Sequence, residues 1–128
     1  MKLVLARAAT AAAMIAVAAT AHATGEGTYT VDGQGPNAAN PYHGTAELKQ
    51  TGQGTWHMHW QIGTESWDGT GVGDSQAFAV SYSSGNQTGT ALYVSDGKSG
   101  YRAIWAGSGD TQVGIETLTP APAGAPKP

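Results

Sequence analysis

Two histidines two positions apart, His57 and His59, have the spacing best suited to chemistry in this chain. On a β-strand, residues i and i+2 project from the same face roughly 6–7 Å apart, near enough to share a metal ion. Zinc would want a third protein ligand, which His43 or Glu47 could supply if their strand is the neighbour. The two histidines also alternate with Trp56, Met58 and Trp60, so they equally suit the solvated face of a half-buried strand. A metal-binding protein, or a small metal-dependent hydrolase using His57 and His59, therefore stands as the alternative reading, and no residue is assigned as a metal ligand.

The other candidate motifs point away from catalysis. Gly69-x-Gly71-x-Gly73 has the look of a phosphate loop, but such loops open a helix, and the residues that follow alternate like a strand. A bend or bulge in a sharply curled strand explains the glycines more simply. Glu65, Asp68 and Glu116 are carboxylates without a defined pair at glycosidase spacing. Glu116 lies in an otherwise apolar segment and is expected to point outward; pointing inward, it would need donors such as Arg102, Trp or Tyr. No Gly-x-Ser-x-Gly elbow is present, so the chain is read as non-enzymatic and without a cofactor. Aromatic residues remain. Tyr42, Trp67, Tyr101 and Trp105 are the expected ligand-binding residues, because Trp and Tyr anchor binding surfaces and stack on flat ligands or sugars.

These residues sit on strands. Alternating segments separated by Gly, Asn and Asp predict eight: Gly27–Val31, His43–Gln50, Thr55–Ile62, Ser66–Val72, Gln76–Ser83, Thr88–Ser95, Gly100–Ala106 and Gln112–Thr119. Most connections are a few residues long, which makes sequence neighbours antiparallel sheet neighbours. The expected fold is all-β, an antiparallel eight-stranded meander forming a small barrel or a strongly coiled sheet. Alternation assigns Trp56, Met58, Trp60 and Ile62 to the inside, with Phe78, Val80 and Tyr82, with Tyr101, Ala103 and Trp105, and with Val113 and Ile115. Three aromatic–glycine pairs, Tyr42–Gly44, Trp67–Gly69 and Trp105–Gly107, suggest rings lying over glycines in their own strands.

Composition sets the address. Lys2 and Arg7, the alanine-rich run Ala8 to Ala19 and the Ala21-His22-Ala23 pattern read as a signal peptide covering residues 1–23. That run is too short to cross a bilayer, which needs about 20 apolar residues. Removing it leaves 105 of 128 residues, one domain over 24–119, followed by a Pro/Ala-rich tail at 120–128. The chain has 0 cysteines, so its stability must come from a packed core. Four Lys and Arg remain against nine Asp and Glu, scattered, which argues against a nucleic-acid partner. A periplasmic or secreted bacterial protein is expected.

Several stretches resemble a known group. Gly27-Thr28-Tyr29-Thr30-Val31, Tyr42-His43-Gly44, Trp60-Gln61-Ile62-Gly63, Trp67-Asp68-Gly69-Thr70-Gly71 and Gly114-Ile115-Glu116-Thr117-Leu118-Thr119-Pro120 are similar to small exported proteobacterial proteins labelled fibronectin-binding protein. The resemblance implies an adhesive or host-protein-binding role and no particular binding residues. More distantly, the meander with its Trp and Gly beats resembles avidin and lipocalin barrels, although Gly27-Thr28-Tyr29 carries tyrosine where lipocalins have tryptophan. The expected partner is a small hydrophobic, aromatic or sugar ligand held at the barrel mouth, or an extracellular protein held on a sheet face.

Overall fold

The computed structural model describes residues 25–122. The expected leader lies outside them, as does most of the expected tail. Eight strands follow one another: β1 (Gly27–Gln34), β2 (Tyr42–Gly52), β3 (Thr55–Ile62), β4 (Glu65–Gly73), β5 (Ala77–Ser84), β6 (Gln87–Ser95), β7 (Tyr101–Gly107) and β8 (Gly114–Pro120). Each pairs antiparallel with its sequence neighbours, and β1 pairs with β8 to close the barrel. The meander expected from the short connections is the observed fold. Closure leaves no free sheet edge.

Strand β1 runs three residues beyond its expected end. Asp32, Gly33 and Gln34 are poor strand formers, but both neighbours hold them: Gly33 faces Tyr42 on β2, and Gln34 faces Ile115 on β8. Pairing on two sides overrides weak local propensity. At the other end of the chain, Pro120 belongs to β8, and the Ala121 N–H donates to the Thr28 carbonyl at 2.9 Å. The β3–β4 hairpin turns through Gly63-Thr64, where Gly63 has φ +60 and gives the handedness that follows strand twist.

Two-residue alternation fills the interior. Trp56, Met58 and Trp60 are buried on β3, while His57 and His59 lie on the outer wall. Phe78 and Val80 on β5, and Tyr101 and Ala103 on β7, also point inward as expected. Strand β8 is the exception. Val113 and Ile115 are 51% and 48% exposed, and Gly114, Glu116 and Leu118 take the inner face instead. A one-residue phase change sends every side chain of a strand to the opposite face. Here Gly114 must face inward because the Trp105 ring of β7 occupies the space a Cβ would need.

That contact belongs to a wider pattern. Tyr42 lies over Gly33, Tyr82 over Gly89 and Trp105 over Gly114, and in each case the two residues are direct cross-strand partners. The rings thus cover glycines on adjacent strands rather than Gly44, Gly69 and Gly107 in their own. Gly69 and Gly71 serve a related purpose. They sit between β3 and β5: a Cβ at Gly69 would come within 2.5 Å of Val80 and 3.1 Å of the Trp60 ring, and one at Gly71 within 3.2 Å of the Ala79 carbonyl and 3.3 Å of Trp56 Cβ. The glycine run of β4 makes room for Val80 and two tryptophans and is not a phosphate-type loop, since β4 continues as strand through it.

The barrel has two unlike ends. Around the β2–β3, β4–β5 and β6–β7 connections it is solid: Trp56, Phe78 and Tyr93 stack with centroids 5.7 and 5.2 Å apart, and Tyr101 meets Phe78 edge-on at 5.2 Å. A hydrogen-bonded latch crosses this end. Tyr29 Oη donates to the Gly25 carbonyl at 2.7 Å, the Gly25 N–H donates to Tyr101 Oη at 2.8 Å, and Tyr101 Oη donates to the Ser75 carbonyl at 2.7 Å.

The cross-strand covering of glycine yields a direct comparison. Gly114→Ala forces the Trp105 ring from its seat and is expected to lower stability in urea unfolding by about 1–3 kcal/mol. At Gly107 a Cβ would meet chiefly the Asp110 carboxylate, at 3.1 Å, so Gly107→Ala is expected to cost clearly less. Equal losses, or a larger loss at Gly107, would reject the cross-strand arrangement.

Candidate functional site

The opposite end of the barrel is open. Here β1, β3, β5 and β7 finish and β2, β4, β6 and β8 begin, and the inward residues leave a cavity of about 690 Å³. Its walls include the rings of Tyr42, Trp60, Trp67, Tyr82 and Trp105, and Tyr93, Ala91 and Glu116 lie deeper. Gly35, Pro36 and Asn40 of the β1–β2 connection reach over one side. That connection is conformationally unusual, with Asn37, Ala38 and Asn40 all at positive φ (59°, 60° and 50°). Such backbone persists where surroundings hold it, and Asn37 Nδ2 is tied to Gln112 Oε1 at 2.9 Å.

Of the four expected ligand-binding residues, three meet at this opening. Tyr42, Trp67 and Trp105 line the cavity. Tyr101 does not; it is fully buried in the latch at the solid end. Tyr101 and Trp105 share the inner face of β7, but four residues of strand separate them by about 13 Å, most of the barrel's height. Trp60, Tyr82, Tyr93 and Glu116 were not expected at the site. Their inward alternation was legible for Trp60 and Tyr82, but which end stays open depends on how the eight strands stagger.

Glu116 is the unexpected element. It is 6% exposed and sits on the inner face of β8. Its Oε1 accepts from Tyr42 Oη at 2.8 Å, and its Oε2 accepts from Trp60 Nε1 at 3.2 Å and from Tyr93 Oη. Three donors on three different strands thus converge on one carboxylate. The donors are Tyr and Trp, and Arg102 lies exposed on the outer wall. Burial raises the Glu116 carboxyl above its ordinary range, while the bonds from Tyr93, Tyr42 and Trp60 pull it back in part. The phenols respond in kind: burial, then the Glu116 charge, pushes both Tyr42 and Tyr93 well above the ordinary range. Three protein donors occupy most of its acceptor positions and hold this carboxylate in place.

Ring geometry shapes the rest of the wall. Trp67 meets Tyr82 at 5.7 Å and 76°, Trp60 meets Tyr82 at 6.0 Å and 67°, and Tyr42 meets Trp105 at 6.2 Å and 63°. These are edge-to-face contacts, the arrangement ring quadrupoles prefer. Ring planes at steep angles turn the wall into corners rather than a flat slot.

The histidine pair lies elsewhere, on the outer wall. His57 Nε2 and His59 Nδ1 both approach Asp68 Oδ1 of β4, at 3.2 and 2.9 Å. Glu47 is the cross-strand partner of His59, whereas His43 lies beyond that register and pairs with Asp32. Among the described residues no group of three His, Asp or Glu side chains is arranged to hold a metal ion. No family model, no curated protein and no solved structure matches the chain.

The buried carboxylate makes stability depend on pH in a defined sense. With its folded value above the ordinary 4.5, Glu116 binds more protons in the folded than in the unfolded chain over that interval. Stability then falls as pH rises. Measured against Glu116→Gln, the wild type is expected to lose stability from about pH 4.5 upward and to level off once Glu116 is ionised in the folded barrel. A difference that climbs with pH would mean that the three donors outweigh burial.

Proposed function

We propose that this protein is an exported, non-enzymatic binding protein that holds a small ligand in the open end of its barrel. The observation that carries the reading is the cavity itself. Its volume of about 690 Å³ lies within the range of small-molecule sites, and so does its character, mostly aromatic walls with a few convergent polar groups. Export rests on the leader-like run that follows Lys2 and Arg7 and on the absence of cysteine from a chain built around a packed core.

A neutral fluorophore tests the cavity. N-phenyl-1-naphthylamine is expected to brighten on binding the wild-type protein. Ala91 is buried in the cavity lining and faces Trp105 across the strand pair, so Ala91→Trp fills the space from within. That variant is expected to weaken dye binding about tenfold or more, ~1.4 kcal/mol, with the circular dichroism spectrum unchanged. Undiminished binding by a folded Ala91→Trp would remove the cavity as the site.

A second reading, protein binding through the outer sheet face, is favoured by one observation. Val72, Ala79, Leu92, Ile104 and Ile115 are successive cross-strand partners from β4 to β8, all exposed. The result is a continuous apolar row on one side of an otherwise polar wall, the kind of patch that marks protein contacts. The resemblance to fibronectin-binding proteins supplies a partner to try. Ile104→Lys, between Leu92 and Ile115 in that row, is expected to abolish binding to immobilised fibronectin while leaving the fluorophore titration unchanged. Retained fibronectin binding, or none by the wild type, would reject this face as the site.

A further inference from the structure

We infer that the cavity takes a small organic cation whose charged head is a methylated, quaternary ammonium group. The inference rests on reading the cavity as a ligand site and adds the chemical class. Three features on different strands point the same way.

The first is charge. The cavity lining contains Glu65, Asp110 and Glu116 and no Lys, Arg or His. Among the described residues the cationic side chains lie elsewhere: Lys49 and Arg102 are exposed on the outer wall, and Lys98 is in the β6–β7 connection at the solid end. Carboxylates at the rim and floor of a low-dielectric concavity focus a negative potential into it. Tyr82 feels that field; its hydroxyl is pushed up to about 12 by burial first, then by Asp110 and Glu116. An anionic ligand would be brought against Glu116 with no counter-charge, which is strongly unfavourable.

The second is the ring arrangement. Trp60, Trp67, Tyr82, Tyr42 and Trp105 meet at 63° to 76°, so several ring planes bound the same space from different directions. Cations bind over ring faces, and walls of this kind are the recurring way of holding quaternary ammonium groups.

The third separates quaternary ammonium from simple amines. A primary ammonium needs acceptors for its three N–H donors. Glu116, the deepest carboxylate, already accepts from Tyr42, Trp60 and Tyr93, and Asp110 Oδ2 accepts the Gly107 N–H at 2.8 Å. Three of the roughly four acceptor positions of Glu116 are thus taken and one of Asp110, while Glu65 and Asp110 lie exposed at the rim, so the charge deep in the cavity comes with little free accepting capacity. A tetra-alkylated nitrogen has no N–H to satisfy and gains from charge and ring faces alone.

The test compares two probes of the same shape. Choline and its uncharged carbon analogue, 3,3-dimethylbutan-1-ol, are titrated calorimetrically into the protein, with N-phenyl-1-naphthylamine in parallel. Choline is expected to bind about tenfold or more tightly than the alcohol. Glu65→Gln with Asp110→Asn, which retains an acceptor for Gly107, is expected to weaken choline several-fold and leave the alcohol unchanged. If the alcohol binds as well as choline, or if the fluorophore binds and choline does not, the cation inference is wrong and the cavity remains a ligand site for neutral compounds. If none of the three binds, the cavity reading fails with it.

Discussion

The interior width of an eight-stranded barrel is the constraint on which everything else here depends. Eight strands enclose just enough space for one layer of side chains from each wall. Four of the largest rings therefore face glycine across the strand pair. Trp56 faces Gly71, Tyr82 faces Gly89, Tyr42 faces Gly33 and Trp105 faces Gly114. Other inward pairs set two large residues opposite each other, as Phe78 with Tyr93, Tyr101 with Leu118 and Leu48 with Met58, all fully buried. Trp60 faces Trp67, and there the second ring remains half-buried at the opening. The mouth is where one ring of such a pair is no longer enclosed.

This constraint also explains what the sequence made legible. The inner faces of β3 and β5 follow from alternation, because their inward residues are large and their outward ones small or polar, and that of β7 follows from Tyr101 and Trp105 although Ala103 points in and Ile104 out. Strand β8 reads backwards by the same rule, since Val113 and Ile115 are more apolar than Gly114 and Glu116. Its true phase is set by a neighbour: the Trp105 ring admits only glycine opposite it. The same logic hid the site. Glu116 looks like a solvent-facing residue until Tyr42, Trp60 and Tyr93 are known to converge on it, and those lie 74, 56 and 23 residues away in sequence. The mouth residues Tyr42, Trp67 and Trp105 could be found from their places near strand ends. Tyr101 could not be told from them, because a position on the inner face does not say which end it serves.

Packing and polarity divide the barrel into unlike halves. At the solid end, stacked rings and the Tyr29–Gly25–Tyr101–Ser75 latch leave no room, and their hydrogen bonds satisfy backbone groups at the end of the barrel. Tyr93 joins the halves. Its ring stacks on Phe78 in the core, and its hydroxyl donates to Glu116 at the floor of the cavity. A shift of the floor would be felt in the ring stack, so the rigid half holds the carboxylate in place.

Both costly features of the molecule fall in the other half. Lining a void forfeits dispersion contacts that a filled core would have. A buried carboxylate costs more than an apolar residue of similar size, even with donors supplied. A larger residue at position 91 would relieve the first with no change to the strand pattern, whereas relieving the second would take an apolar residue at position 116 together with apolar partners for the donors now on Tyr42, Trp60 and Tyr93. The solid end demonstrates that this sequence can pack a barrel densely when nothing opposes it. The cavity and the hydrogen-bonded carboxylate thus coincide at one end, whereas steep ring pairs occur at both. Natural proteins depart from optimal packing chiefly where they function. The proposed site rests on that asymmetry before any property of a ligand is considered.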